Sequence, residues 1–330
     1  LSMKAVVYES YGSPDALELK ELEKPVPGDH EVRVQVHAVS INSWDRDLLR
    51  GVPFVNRMMA GVLKPKRITI LGCDIAGQVE AIGKSVKRFK PGDAVLGDLS
   101  SCCGWGGFAE YVCARENALT LKPESVTFEQ AAALPQAGLL ALQGLRDKGR
   151  IQAGQKVLIN GAGGGTGTFA IQLAKYFGAD VSGVDSTGKL ALMRSLGADN
   201  VIDYTQQDFT TNGQQYDLVL DISGTHSIFD VRRSLTPRGR YVMVGGSTTL
   251  VNQLLFLGPW LSIPGTKKTG LLMHRANKGL DDLMALVEAG RVVPVIDRCY
   301  RLSEVAEAMR YFAKGSVKGK IVITVGHVKD

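Results

Sequence analysis

The run Lys156-Val-Leu-Ile-Asn160-Gly-Ala-Gly-Gly-Gly-Thr-Gly167-Thr-Phe-Ala-Ile-Gln-Leu-Ala-Lys175 decides how the rest of this chain is read. A short apolar strand pattern enters a glycine cluster, and the cluster opens a helical pattern. Without Cβ atoms in the way, backbone N–H groups approach a pyrophosphate closely, and a helix N-terminus adds donors and the positive end of its dipole. No register places glycine at all three positions of G-x-G-x-x-G. Ala162, Gly164 and Gly167 occupy those offsets, with Gly163, Gly165 and Thr166 between them. Glycine clusters also serve ordinary tight turns, so the weight comes from context: a strand before, a helix after, and more of the same alternation downstream.

That alternation runs through the centre of the chain. Strand patterns at 156–160, 181–184, 218–222 and 241–244 are separated by helical stretches through Lys175 and Leu196. This is the βαβ signature of a parallel, doubly wound sheet. An amphipathic helix carrying Leu280, Leu283, Met284 and Val287, a strand at 293–296, a helix from Ser303 and a strand at 320–325 follow. Upstream the texture differs. Short strands are expected at 6–8, 32–36, 75–79 and 108–112, punctuated by Pro27-Gly28-Asp29 and Lys90-Pro91-Gly92-Asp93. Val32, Val34 and Val36 alternate with Arg33 and Gln35, the period of a half-buried strand, so an antiparallel barrel or sandwich is expected there. Thr127-Phe128-Glu129-Gln130 forms a capping box before an Ala-rich helix over 131–145 and marks the change of texture.

Composition excludes several classes. The chain has 330 residues, 45% hydrophobic and 22% charged, with a formal net charge of +6 and a pI near 9.0. A disordered, collagen-like or disulfide-stapled protein is ruled out. The basic excess suits an anionic ligand, and no aromatic-plus-basic motif points to nucleic acid. Cys73, Cys102, Cys103, Cys113 and Cys299 are odd in number and contain no C-x-x-C pair, so a reducing, cytoplasmic setting is expected. Leu1-Ser2 reads as an expression scar, and Met3 leads straight into a strand pattern, so no signal peptide is expected. The greasiest stretch, 254–263, is broken by Gly258-Pro259 and falls short of the roughly 20 residues a bilayer span requires.

The strand after the glycine loop ends at Asp185. A carboxylate there accepts hydrogen bonds from an adenosine ribose 2′-OH and repels a 2′-phosphate, which favours NAD(H). Ser186, Thr187 and Lys189 supply hydroxyls and a cation suited to the phosphate of NADP(H). Asp185 and Ser186 also suit a plain turn that caps the next helix. On residues alone the choice stays open.

The chain resembles the medium-chain dehydrogenases/reductases over essentially its whole length, specifically their zinc-independent quinone oxidoreductase (zeta-crystallin-like) branch. Ala162-x-Gly164-Gly165-x-Gly167 is similar to that branch's A-x-G-G-x-G loop, Gly72-Cys73-Asp74-x-Ala76-Gly77 to its G-x-D-x-A-G element, and Lys90-Pro91-Gly92-Asp93 to its K-x-G-D turn. Leu134-Pro135-x-Ala137-Gly138-Leu139, Ser195-Leu196-Gly197-Ala198-Asp199, Val201-Ile202-Asp203-Tyr204 and Gly319-Lys320-Ile321-Val322 follow in the family's order. The resemblance implies an α/β protein with a GroES-like β-barrel catalytic domain built from 1–126 and 274–330. A Rossmann doubly wound parallel-sheet domain, 127–273, would bind the dinucleotide. It implies hydride transfer from NAD(P)H to a small hydrophobic quinone, activated alkene or carbonyl. Lys189 and Tyr204 match the family's residues around the 2′-phosphate, and Asp185 falls where the branch has a small uncharged residue. The reading leans to NADP(H), with NAD(H) as the alternative. Gly245, Gly246 and Ser247 would meet the carboxamide end.

Zinc-dependent relatives carry a Cys near 42–45, a His-Glu pair at 73–74 and a further Cys. Here those positions hold Asn42, Ser43 and Cys73, and Cys102-Cys103 has no partners for a structural site. A catalytic zinc needs about three protein ligands, so no metal is expected. Ser40-Ile41-Asn42-Ser43-Trp44-Asp45 resembles the S-x-N-x-x-D element lining the nicotinamide end. Asn42 is expected to donate its amide to substrate or cofactor, or else to bridge loop backbone. Asp45 is expected to pin that loop, and Asp74 to tie two loops together. A tyrosine of the branch is replaced around Asp47 and a threonine by Leu140, which leaves water or the cofactor ribose as proton source. The stretches 54–70, with Met58, Met59 and Arg67, and 254–260 read either as walls of a substrate mouth or as domain or subunit packing, compatible with a homodimer. Alcohol or aldehyde oxidoreduction and a non-catalytic NAD(P)H-binding protein are the competing readings.

Overall fold

The computed structural model describes residues 2–101, 105–262 and 267–326; the side chains of Thr248 and Thr249 are not described. Leu1, Cys102 and Cys103, named above, and residue 263, the end of the apolar stretch, lie outside the described residues. Contacts divide the chain into two compact units. Leu1–Gln136, Arg275–Met284 and Ile296–Asp330 form one, Ala137–His274 with Ala285–Val295 the other.

The first unit starts with the antiparallel pair β1 (Ser2–Tyr8) and β2 (Leu17–Glu23). Next come β3 (Glu31–Ser40), α1 (Ser43–Arg50), α2 (Phe54–Ala60), β4 (Asp74–Ile82), β5 (Ala94–Asp98), β6 (Tyr111–Arg115), β7 (Thr120–Leu121) and α3 (Phe128–Ala133). β3 is the hub. Val32, Val34 and Val36 are fully buried between half-buried neighbours, as the alternation predicts. The strand pairs with β4 along its length and with β6 through Glu31–Gln35. The capping box at Thr127 and Gln130 is present, but the helix it starts packs on β3 and β4 in the first unit. Ala131, Ala132 and Ala133 let it approach the sheet closely, so the expected boundary at 127 falls ahead of the division after Gln136.

The Ala-rich stretch is divided. α4 (Pro135–Leu142) starts with proline, whose missing N–H is tolerated at a helix's first position, and a π-turn over Gln143–Lys148 follows. The second unit then alternates β8 (Lys156–Asn160), α5 (Gly165–Tyr176), β9 (Asp180–Asp185), α6 (Leu190–Ser195), β10 (Asn200–Asp203), β11 (Tyr216–Asp221), α7 (Ile228–Arg233), β12 (Leu235–Met243), α8 (Thr248–Leu261) and β13 (Lys268–Leu271). All pairings in its six-stranded sheet are parallel, in the order β10-β9-β8-β11-β12-β13. The order reverses beside β8, which puts a crevice at the carboxyl ends of β8 and β11. Leu158, Val219, Tyr241 and Met243 belong to the core behind it.

The chain then runs through α9 (Leu280–Glu288) to β14 (Ile296–Arg301), α10 (Val305–Ala313) and β15 (Lys320–Thr324). β14 begins where the expected strand at 293–296 ends, because Pro294 has no N–H to give a ladder. β15 pairs antiparallel with the end of β3, completing a seven-stranded sheet ordered β14-β15-β3-β4-β5-β7, with β6 also on β3.

Candidate cofactor and active site

In the second unit, Gly161 and Ala162 both donate backbone N–H bonds to the Val184 carbonyl at the end of β9, at 2.9 and 3.0 Å. This folds the glycine loop back over the strand ends. α5 begins at Gly165 with Gly164 as its N-cap, and no side chain caps it. The first-turn amides of Gly165, Thr166 and Gly167 are therefore left for an anion. The cradle depends on missing side chains. A Cβ on Gly167 would lie 2.2 Å from the Gly161 carbonyl oxygen and one on Gly163 2.7 Å from Lys189, whereas one on Gly164 meets nothing nearer than 3.6 Å. The open space at Gly164 and the uncapped helix behind it fit a diphosphate.

Asp185 is less free than its place in the sequence suggests. One carboxylate oxygen accepts the Gly163 N–H at 2.9 Å, the other the Ser186 N–H at 2.8 Å, and the Lys189 ammonium lies 3.3 Å away. Asp185 and Lys189 are each only 7% exposed. Both expected selectors of the adenosine ribose thus neutralise each other inside the loop. Thr187 donates its hydroxyl to Asp203, and Tyr204, exposed at the end of β10, donates its N–H to the Asp185 carbonyl. Asp185 and Tyr204 line a cavity of about 440 Å³ with Asn160, Val184, Phe209 and His226. Asn160 was not singled out from sequence, although a polar residue ending a buried strand is a signal. It donates Nδ2 to Asp221, which also accepts from the Tyr241 hydroxyl and the Gly224 N–H. Burial, with the Asp221 carboxylate beside it, pushes the Tyr241 phenol up. The Val244 N–H bonds the Asp221 carbonyl, which places Gly245 and Gly246 next to this network. Ser247 turns out to be the N-cap of α8, accepting the Leu250 N–H at 3.3 Å.

The first unit gathers a second polar cluster. Antiparallel pairing brings the end of β3, the start of β4 and the end of β5 to one edge, so Ser40, Asp74 and Asp98 stand in register across three strands. Lys320, two residues before the partner of Ser40 on β15, enters the same cluster. All four are buried. Asp74 accepts the Gln136 N–H at 3.1 Å and Asn42 Nδ2 at 3.0 Å. Lys320 donates to Asn42 Oδ1 at 2.6 Å and to the Ile41 carbonyl at 2.9 Å. The Asn42 amide is therefore held at both ends, and its remaining hydrogen faces Cys73 Sγ at 3.6 Å. Of the two expected roles, donor to a ligand or bridge within the loops, this geometry is on the side of the bridge, with side chains in place of loop backbone: Asn42 ties Lys320 to Asp74. Asp45 accepts the Asn42 N–H and the Gly72 N–H, each at 2.8 Å, and pins the two loops. Burial pushes its carboxyl up to about 6. Burial, with Asp98 beside it, also raises Asp74, and burial lowers Lys320.

Cys73, Asp74 and Asp98 place donor atoms within 4.8 Å of one another. They do not fit zinc. Burial and the neighbouring carboxylates push the thiol well above its usual range, whereas the metal requires a thiolate. Asp74 and Asp98 already accept backbone N–H bonds, and an ammonium group occupies the same pocket.

Residues 28–124 match the alcohol dehydrogenase GroES-like domain, and residues 196–323 the zinc-binding dehydrogenase family. A 2-methylene-furan-3-one reductase from Solanum lycopersicum is 33% identical over 97% of this chain and 79% of its own length. An NADPH-dependent alkenal/one oxidoreductase, chloroplastic, from Arabidopsis thaliana is 32% identical over the same shares. The structure of the quinone oxidoreductase from Coxiella burnetii superposes with a TM-score of 0.88 at 31% identity, covering 99% of this chain and all of that one. No helix among the described residues is long and apolar enough to cross a membrane. The glycine loop, the parallel sheet, the polar edge of the β-unit and these relatives agree: the chain is an oxidoreductase belonging to the zinc-independent quinone oxidoreductase branch of the medium-chain dehydrogenase/reductase superfamily.

Proposed function

We propose that the protein reduces quinones or α,β-unsaturated carbonyls with NADPH, NADH being the weaker donor, and without a metal. The observation that carries this is the uncapped start of α5 behind Gly164, in a chain whose relatives are named as quinone, alkenal/one and furanone reductases. The second unit would act as the dinucleotide-binding domain and the first as the catalytic domain. Gly163 to Gly167 would hold the diphosphate, with Ala162 seating the loop on β9. Ser186, Thr187, Lys189 and Tyr204 would hold the 2′-phosphate, and Gly245 and Gly246 the carboxamide end. When bound there, NAD(P)H would supply a hydride to the electrophilic carbon of the acceptor, whose π electron pair would move onto the acceptor oxygen. Asn42 and Asp45 act as positioning residues that fix the 40–45 and 72–74 loops. Asp74 is fully buried and tied to Gln136 and Asn42, which leaves water or the cofactor ribose to protonate the resulting anion. Lys189 must leave Asp185 to meet a 2′-phosphate, which tempers the preference and keeps NADH usable.

Cys73, Cys113 and Cys299 are free thiols, which supports a reducing compartment such as the cytoplasm. A homodimer is part of the proposal, supported by the edge position of β13 and by the exposed Phe256 and Trp260 of α8.

Purified protein is mixed with NADPH or NADH against a quinone, an enone and a simple ketone. Oxidation of cofactor by the quinone or the enone is expected. Binding of cofactor without turnover of any acceptor would refute the catalytic reading. Lys189→Ala should raise Kd for NADPH on the order of tenfold, by loss of one charge-assisted contact, and leave NADH within a few-fold. Asp185→Ser should shift the preference further towards NADPH. Equal losses for both cofactors in both variants overturn the phosphate role.

A further inference from the structure

α2 is built inside out. Its buried positions are Asn56 and Ala60, one helical turn apart, while Phe54, Val55 and Met58 on the other face are 61%, 53% and 56% exposed. The inward Asn56 is bonded at both ends of its amide: Nδ2 donates to the Val52 carbonyl at 2.8 Å and Oδ1 accepts from Trp44 Nε1 at 3.2 Å. A surface helix ordinarily turns its apolar stripe inward. Here the polar contact fixes the helix the other way, and the apolar face is extended by Val62 and by Leu63, which is 91% exposed.

The charge of this segment has one sign. From residue 50 to residue 67 the chain contains Arg50, Arg57, Lys64, Lys66 and Arg67 and no Asp or Glu. Arg67 reaches back to the Met58 carbonyl at 3.1 Å, so its cation sits beside the exposed apolar side chains. Arg57 lies over the Tyr11 ring and bonds the Gly51 carbonyl, which fixes it at the same rim. Glu9 interacts with Lys64 but is already bridged to Lys20 at 2.7 Å.

Aliphatic and aromatic side chains standing outward within a collar of Lys and Arg match the boundary between acyl chains and anionic headgroups. We propose that the 52–67 segment docks the protein on an anionic lipid bilayer, with Phe54, Met58 and Leu63 entering the interface and Lys64, Lys66 and Arg67 meeting lipid phosphates. The attachment is peripheral and reversible.

The full chain is sedimented with vesicles of phosphatidylcholine, with and without phosphatidylglycerol, in low and high salt. Binding to the anionic vesicles, weakened by salt, is expected. The double variant Phe54→Ser, Leu63→Ser should lower partitioning on the order of tenfold at unchanged charge, because buried apolar area is lost. Lys64→Glu with Arg67→Glu should lower it on the order of tenfold or more. All four side chains are at the surface, and unchanged melting confirms the fold. A chain that stays in the supernatant with both vesicle types overturns the proposal. So do variants that bind as well as wild type, which would mean another basic surface is responsible. A wild-type mass in solution that doubles, and halves again in the Phe54→Ser, Leu63→Ser variant, would assign the face to a second copy instead. No cofactor or acceptor enters the assay, so its result is independent of the redox reading.

Discussion

Asp45 holds two loops with two backbone bonds, yet burial outweighs those bonds and its carboxyl titrates near 6 instead of its usual 3.8. Between those values the folded chain keeps a proton that the unfolded chain has released. Stability from this group is therefore complete below about pH 3.8 and is lost as pH rises through about 6, by on the order of 3 kcal/mol. Asp45→Asn has no such proton. It also turns an amide N–H, in place of an acceptor oxygen, toward one of the two backbone donors of Asn42 and Gly72, a cost of about 1–3 kcal/mol at any pH. Denaturant unfolding of wild type and variant across this window should show the wild-type advantage shrinking as pH rises. A constant difference would mean that Asp45 titrates normally. The pinning role of Asp45 was legible because its partners are three residues away or in an adjacent motif. That of Asn42 was not, because Lys320 lies 278 residues further along the chain and only the pairing of β15 with β3 brings it in.

The strand, loop and helix from Lys156 to Lys175 are where sequence and structure agree most closely, since the glycines specify both the turn and the open helix end. Two neighbouring glycines there make opposite predictions. Gly167→Ala would push a methyl into the backbone of Gly161 and Ala162, so the loop must move. A gain of about 1 kcal/mol in helix propensity does not offset overpacking of about 1–3 kcal/mol, and melting temperature and cofactor affinity should fall together. Gly164→Ala has room for its methyl and a backbone compatible with alanine, so melting should be nearly unchanged. Its methyl stands where the diphosphate is proposed to lie, so fluorescence titration with NADPH should show affinity lost at least tenfold. Wild-type affinity in Gly164→Ala would place the diphosphate elsewhere. Other elements were less legible. Nothing in the Ala- and Leu-rich composition of 131–145 distinguishes one helix from α3, α4 and a π-turn, and β13, Lys-Thr-Gly-Leu, shows no alternation. The apolar exterior of α2 was legible only as a choice between a substrate wall and packing, because its inward face is decided by the Trp44–Asn56 bond.

At the scale of the whole molecule, the two textures of the sequence correspond to an antiparallel-rich unit and a parallel one, and the chain enters the first unit from both ends. That arrangement gathers Cys73, Asp74 and Asp98 with Lys320 at one sheet edge, and it opposes a metal at this cluster in a chain that matches a family described as zinc-binding. A divalent cation there would have to deprotonate a thiol that burial holds protonated, displace the backbone donors of Asp74 and Asp98, and share the pocket with an ammonium. Each step opposes binding, and together they outweigh the convergence of three donor atoms. Dialysis of the full-length protein against a chelator should leave the melting temperature and the NADPH-dependent turnover of an enone unchanged. Added zinc should raise neither, because the cluster of Cys73, Asp74 and Asp98, found among the described residues, is already held by its own donors and an ammonium. Turnover that disappears on chelation and returns with zinc would show that Lys320 moves aside and that the buried cluster is a metal centre after all.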